Sequence, residues 1–299
     1  MTNLSFKEKI KTFYDVNYKT LLIITLVIFG LALLFLAYKQ FVVGELIVRG
    51  ISLKGGVELT FPAKTNININ SLQSSLRSET NSNDLTVRST SELGVQKDII
   101  VESSDVTIDL MKKSLETVGF KLIEGEYSSQ QIGSKLGEKF FNQMFLALLF
   151  AIIAIAIVVY ITFRELIPSL FVMIAAIADL VTVLAVLSFF NITLSIAGVA
   201  AFLMMLGYSV DTDILLTTRV LKTKTGTVLQ RIHDAMRTGI TMTVSSFVAV
   251  TLAFFITQSA AIKEIMLILA LGLIIDSYNT WIQNAGILRW YLEYKHGKN

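Results

Sequence analysis

Six long apolar stretches, separated by polar links, dominate the pattern of this chain. Thr20–Tyr38, Phe140–Phe163, Leu166–Phe190, Leu194–Thr218, Ile240–Gln258 and Ile265–Leu288 are each long enough to cross a bilayer as a helix, which takes about 20 residues. Charges inside them are confined to Asp179, Asp211, Asp213 and Asp276. The pattern predicts a polytopic α-helical membrane protein with six transmembrane helices. The first stretch is too long for the core of a signal peptide, and no small-x-small cleavage site precedes Gln40; a retained span is expected.

Between the first two spans the pattern changes. ISLKGGVELTF (51–61) alternates like a strand and Ile69–Ser78 suits a helix. LTVRSTS (85–91) and DIIVESS (98–104) flank a Glu-Leu-Gly turn region as a hairpin. Val106–Val118 has helical spacing through Ile108, Met111, Leu115 and Val118, and FKLIEGEY (120–127) closes as a strand. The order β-α-β-β-α-β predicts one ferredoxin-like α+β domain, a four-stranded sheet with two helices on one face. The expected organisation is a cytoplasmic amphipathic arm over 1–19, a first transmembrane helix over 20–40 and the external domain with its lead-in over 41–138. A five-helix transmembrane bundle over 139–290 and a cytoplasmic tail over 291–299 complete it.

Composition supports this reading and narrows the chemistry. The 299 residues are 53% hydrophobic, with a mean hydropathy of +0.64, too apolar for an ordinary soluble domain. Cysteine is absent, which excludes disulfides, thiolate metal sites and cysteine nucleophiles. The two histidines, His233 and His296, lie outside the spans and read as loop residues. Net charge is +3, but the basic residues follow membrane topology, so no nucleic-acid partner is expected. Lys7, Lys9, Lys11 and Lys19 precede the first span. Arg164 follows the second, Arg219, Lys222, Lys224, Arg231 and Arg237 lie around the link after the fourth, and Arg289, Lys295 and Lys298 follow the sixth. The links after the third and fifth spans carry only Lys263, while the Lys/Arg-rich stretch from about 39 to 139 is a long loop that translocates regardless of charge. Both termini are therefore expected in the cytoplasm of a multi-pass cell-membrane protein. The arm places Leu4, Ile10 and Phe13 or Tyr14 within reach of one helical face, which suits an interfacial helix and equally a polar tail.

Catalytic motifs are missing: there is no GxxxxGK[ST], HExxH or GxSxG, and no histidine available for a triad. No catalytic residue, cofactor or metal site is expected, and the chain does not read as an enzyme. The chemistry-bearing positions are ionisable groups at membrane depth. Asp276, Asn279, Thr280 and Gln283 form one polar stripe at i, i+3, i+4 and i+7; Arg237, Thr241 and Ser245 form another. Asp211, Leu215 and Arg219 share a face, whereas Asp213 lies about 200° round the helix from Asp211. Asp211, Asp213 and Arg237 are the candidates for a proton or ion relay, because desolvation disfavours an ionised carboxylate and lets it exchange protons near neutral pH. Asp179, Asp276, Asn279 and Arg219 form a secondary intramembrane polar set. For all these acids the alternative is an interhelical hydrogen-bond anchor.

GYSVDTDILLTTR (207–219) resembles the fourth transmembrane segment of SecF, from the SecD–SecF complex of protein export in the RND superfamily. RGISLKGG (49–56), IGSKLG (132–137), MRTGITMTVSS (236–246) and LGLIIDSYNTWIQNAGILRWY (271–291) match that family in order, the last being similar to archaeal members in particular. Where bacterial members usually carry Asn-Asp this chain has Asp211-Thr212; Ser52 stands for an Asp and Ser134 for a common proline. The resemblance implies half of an RND-like core and an archaeal-type subunit assisting Sec-dependent export. It also implies SecD as partner, association with the Sec translocon channel, contact with unfolded exported polypeptide, and a coupling ion, expected to be the proton. The alternatives are a standalone RND-type exporter of small molecules or lipids, and a passive translocon scaffold.

Overall fold

The computed structural model describes residues 12–63, 66–92, 95–223 and 225–296. Leu4 and Ile10 of the expected arm, the Leu-Gly of the hairpin turn, Lys224 and the last three residues lie outside them. Residues 12–16 are helical, and Tyr14 donates to the carbonyl of Trp281 at 2.5 Å. The apolar helix α1 (Tyr18–Tyr38) runs into a π-helical turn at Lys39–Val43, closed by Gly44 in the left-handed region.

The stretch expected as one strand over 51–61 is instead a short helix α2 (Ile51–Lys54) followed by β1 (Gly56–Pro62). The break falls at Gly55 and Gly56, with φ of +82° and +135°, values that disfavour any side chain. A Cβ on Gly55 would also lie 2.4 Å from Ser134 Cα, and one on Gly56 2.3 Å from Ser103 O. Then come α3 (Ile69–Thr80), capped by the Asn68 side chain, β2 (Thr86–Glu92), β3 (Val95–Ser103) and α4 (Ile108–Thr117). Strand β4 (Ser128–Ile132) closes the sheet, whose order is β2-β3-β1-β4 with every neighbouring pair antiparallel.

The closing strand is thus not FKLIEGEY. Phe120, Leu122 and Tyr127 pack against the core of this inserted domain, but the chain turns through Gly125 (φ +90°) and reaches β1 only at the polar SSQQI. An edge strand exposed on both faces has no period-two signal to read. Val57, Leu59, Phe61, Val87, Ile99 and Val101 point to the helices, with Met111 and Leu115 of α4 among them. The other face of the sheet carries Glu58, Arg88 and Glu102, since Glu58 and Glu102 are direct cross-strand partners.

Helices α5 (Ser134–Phe163), α6 (Leu166–Phe189), α7 (Ile196–Lys222), α8 (Val228–Ile256) and α9 (Ala260–Tyr278) form the bundle. A π-helical turn at Asn279–Asn284 links α9 to α10 (Ala285–His296). The helix crosses the boundary expected at 290, because Leu292 packs with Leu216, Trp281 and Leu288. Among the described residues five helices are long and apolar enough to cross a membrane: Tyr18–Val42, Ser134–Phe163, Leu166–Phe189, Ile196–Lys222 and Val228–Ile256. α9 is shorter, and its 19 residues carry Lys263, Glu264 and Asp276. α7 is the central helix and the most buried of these five, whereas the apolar faces of α5 and α8 are mostly uncovered.

The two glycine motifs meet where the inserted domain joins the bundle. A Cβ on Gly137 of α5 would lie 2.4 Å from Gly55 N, so helix and loop touch backbone to backbone. Gly50 N donates to Leu194 O at 2.9 Å, Leu194 N to Val48 O at 2.8 Å and Ile196 N to Ser52 Oγ at 3.2 Å. Arg88 completes the strap by donating to Thr193 while pairing with Glu102.

Candidate functional site

Three carboxylates converge in the bundle interior: Asp179 of α6, Asp213 of α7 and Asp276 of α9, none more than 2% exposed. Asp179 accepts from Ser209 Oγ and, at 2.7 Å, from Asn279 Nδ2. Asp276 accepts from Thr212 Oγ1 at 3.0 Å and lies 3.1 Å from Thr280 Oγ1. Asp213 Oδ1 accepts from the same Thr280 hydroxyl at 3.0 Å and from Asn284 Nδ2 at 2.7 Å. Thr280 therefore bridges two acids with a single hydrogen. Thr212 is equally short of protons, since its hydroxyl also lies 3.0 Å from Tyr208 O and 2.9 Å from Ser209 O. Among the described residues no Lys or Arg pairs with any of the three acids.

Local sequence explains the convergence. Ser209, Thr212 and Asp213 are spaced i, i+3 and i+4, so α7 turns all three toward its neighbours. The π-helical turn rotates Asn279, Thr280 and Asn284 so that Asn279 reaches α6 while Thr280 and Asn284 reach α7. Single π turns in α-helices recur at functional sites.

The sequence candidates divide in two. Asp213 of the relay set is buried together with Asp179, Asp276 and Asn279 of the secondary set. Asp211, Arg219 and Arg237 lie exposed on the outside of α7 and α8. Arg237 forms no ion pair among the described residues, and the donors at Asp213 are the neutral Thr280 and Asn284. The stripe from Asp276 to Gln283 faces protein throughout. Sequence reasoning missed Ser209, Thr212 and Asn284; Ser209 stands one turn before Asp213, Thr212 next to it and Asn284 two turns after Asp276, so small polar residues within two turns of an intramembrane acid are the signal that finds them.

Comparisons with known proteins give the chain a family. A family model described as protein export membrane protein SecD/SecF, C-terminal, matches residues 111–294. A protein-export membrane protein SecF from Pyrococcus furiosus is 33% identical over 98% of this chain and 97% of its own length. The chain belongs to the SecF family. The SecF of Methanocaldococcus jannaschii is 34% identical, over 94% of this chain and 99% of that protein. These relatives are archaeal, as the fourth-span and sixth-span motifs implied. The crystal structure of SecDF from Thermus thermophilus, described as a translocon-associated membrane protein, superposes with a TM-score of 0.75 at 16% identity. It covers 93% of this chain, which spans 38% of that longer chain, and at this identity the likeness establishes a common fold. The SecF chain is thus a helical membrane protein of the export machinery.

Proposed function

We propose that this SecF chain works as a six-span subunit beside SecD, using ion movement through the Asp179–Asp213–Asp276 site to assist Sec-dependent export. The sixth span is α9 continued through the π-helical turn into α10. The inserted domain is ferredoxin-like and external, both termini are cytoplasmic, and the membrane is the cell membrane. The weakly buried apolar faces of α5 and α8, with Asp211 and Arg237 nearby, are where SecD would pack. The translocon channel and unfolded exported polypeptide are the further partners, and no bond is made or broken by this chain.

One observation carries the reading: three buried carboxylates share too few hydrogens and have no cationic partner among the described residues. Buried charge of this kind is costly unless neutralised. A proton on Asp276 would donate to Thr280 or Thr212, releasing the Thr280 hydrogen to Asp213; loss of that proton draws the hydrogen back. The site thereby links protonation on α9 to bonding on α7, two packed helices whose relative position can change. Movement of the inserted domain follows through its strap to Thr193, Leu194 and Ile196, at the start of α7.

The test is export of a secretory substrate into vesicles containing this chain and SecD, with and without an imposed proton gradient. Asp213→Asn and Asp276→Asn should abolish the gradient-dependent stimulation while SecD still copurifies. Stimulation equal to wild type in both variants would leave the passive scaffold as the function.

A further inference from the structure

We infer that Tyr14, in the arm before the first span, is a positioning residue: its hydroxyl holds the Asn279–Asn284 turn in the π register and so keeps Asn284 on Asp213. The inference goes beyond the function proposed above, because it concerns what sets the shape of the turn and not what moves past the acids. In an α-helix the carbonyl of Trp281 would accept from the amide of Ala285, four residues on. That amide is diverted here to Thr280 O and Ile282 O. The Tyr14 hydroxyl takes the vacated place, donating to Trp281 O at 2.5 Å. Trp281 is buried, and a buried carbonyl deprived of its donor costs more than an ordinary hydrogen bond contributes. A side chain entering the ladder is a known cause of local helix distortion. Straightening the turn would hand Trp281 O back to Ala285, so the π register and the Tyr14 bond stand or fall together.

The arm is anchored so that this hydroxyl arrives in place. Next to Tyr14, Asp15 O accepts from Arg289 Nη1 of α10 at 2.8 Å, and Asp15 Oδ1 lies 3.2 Å from His233 Nε2 of α8. The Arg289 guanidinium also sits 4.0 Å over the Tyr18 ring. Burial, then the charge of Asp15, pushes the Tyr14 hydroxyl up to about 12, so it stays a donor throughout the physiological range. The side chain of Trp281 is fitted from the opposite direction. Its indole lies against Gly239 of α8, where an added Cβ would come 2.1 Å from Cζ2. Carbonyl and indole of one residue are thus both seated in the observed register.

The register matters for the acids because a π turn holds one residue more than an α turn. Straightening it would rotate everything beyond by about 100° relative to α9. Asn279, where the turn begins, donates to Asp179 of α6 at 2.7 Å, and Asn284, where it ends, donates to Asp213 of α7 at 2.7 Å. A rotation of that size between the two asparagines cannot leave both bonds in place. Asn279 sits against the end of α9 and keeps its acid, so Asn284 is the one that departs. The hydroxyl of Tyr14 therefore reaches Asp213 through one carbonyl and one turn of helix, without touching the carboxylate.

The test uses the full-length chain in nanodiscs. The sequence has two tryptophans, and Trp290 is exposed, so a Trp290→Phe parent leaves Trp281 as the single fluorophore and the single site for a ¹³C-carbonyl tryptophan label. Tyr14→Phe in that parent removes the hydroxyl and keeps the ring and the Asp15 anchors. The expected result is native emission shifted to longer wavelength as the indole leaves Gly239, with the labelled carbonyl's infrared band moved to the position of ordinary helical carbonyls. Tyr14→p-aminophenylalanine, which restores a donor, should return both signals. In vesicles with SecD, Tyr14→Phe should lose gradient-dependent export while SecD still copurifies. Emission and carbonyl band equal to the parent's, even with a lowered unfolding temperature, would reduce Tyr14 to a stabilising contact and overturn the inference. Shifted spectra with undiminished gradient stimulation would overturn the link to Asn284. A parent without any gradient-dependent export would count against the ion-driven function alone, and the two spectra would still decide the register.

Discussion

Gly137→Ala tests the interlock between the two glycine motifs. The new Cβ would lie 2.4 Å from Gly55 N and 2.8 Å from Lys54 C, where ordinary contact begins at 3.4 Å. Helix α5 and the loop must therefore separate by about 1 Å, and no rotamer can absorb this because both neighbours are backbone. Overpacking costs about 1–3 kcal/mol, and a contact this short belongs at the upper end. Alanine returns about 1 kcal/mol through helix propensity. The net loss is about 2 kcal/mol, or roughly thirtyfold in the equilibrium between docked and undocked segments. Hydrogen exchange reads it directly: the amides of Lys54 and Gly55, bonded to Gly50 O and Ile51 O, should exchange faster by about that factor. Gly207→Ala is the control, since nothing lies within 4 Å of its added Cβ and the same propensity gain applies. Unchanged exchange at 54 and 55 in Gly137→Ala, with α5 intact, would refute the interlock.

Three further outcomes are expected. Burial, then repulsion from Glu102, pushes the Glu58 carboxyl up to about 7 against the opposing pull of Arg88. Its contribution to stability is therefore present below the unfolded value near 4.5 and lost as pH rises through about 7, and protease resistance of residues 56–132 should fall over that range in wild type and stay flatter in Glu58→Gln. Leu115→Ala empties a fully buried position between α4 and the sheet and should cost about 2–5 kcal/mol, seen as a lower denaturant midpoint for proteolysis of the inserted domain. Thr227→Ala removes the capping box in which Thr227 and Gln230 satisfy each other's backbone N–H; a loss of about 0.5–2 kcal/mol is expected in thermal unfolding, largely restored by Thr227→Ser.

Hydropathy alone determined where the helices of the bundle lie, since a run of about 20 apolar residues has one economical conformation in lipid. Period-two alternation located β1 to β3, and helical spacing located α3 and α4, because each buries one face in the domain core. The angle of about 200° between Asp211 and Asp213 was also legible, and it is why one is exposed and the other buried. The tertiary structure decided the rest. β4 is polar on both faces and is a strand only because β1 offers it an open edge. Gly55 and Gly137 read as two weak motifs, and only their backbone contact gives each its reason. Asp179 and Asp276 looked separable from Asp213 because they lie 34 and 63 residues from it along the chain. Packing of α6, α7 and α9 and the π-helical turn bring them together through Ser209, Thr212, Thr280 and Asn284, and a hydrogen shared between distant residues leaves no local trace in sequence.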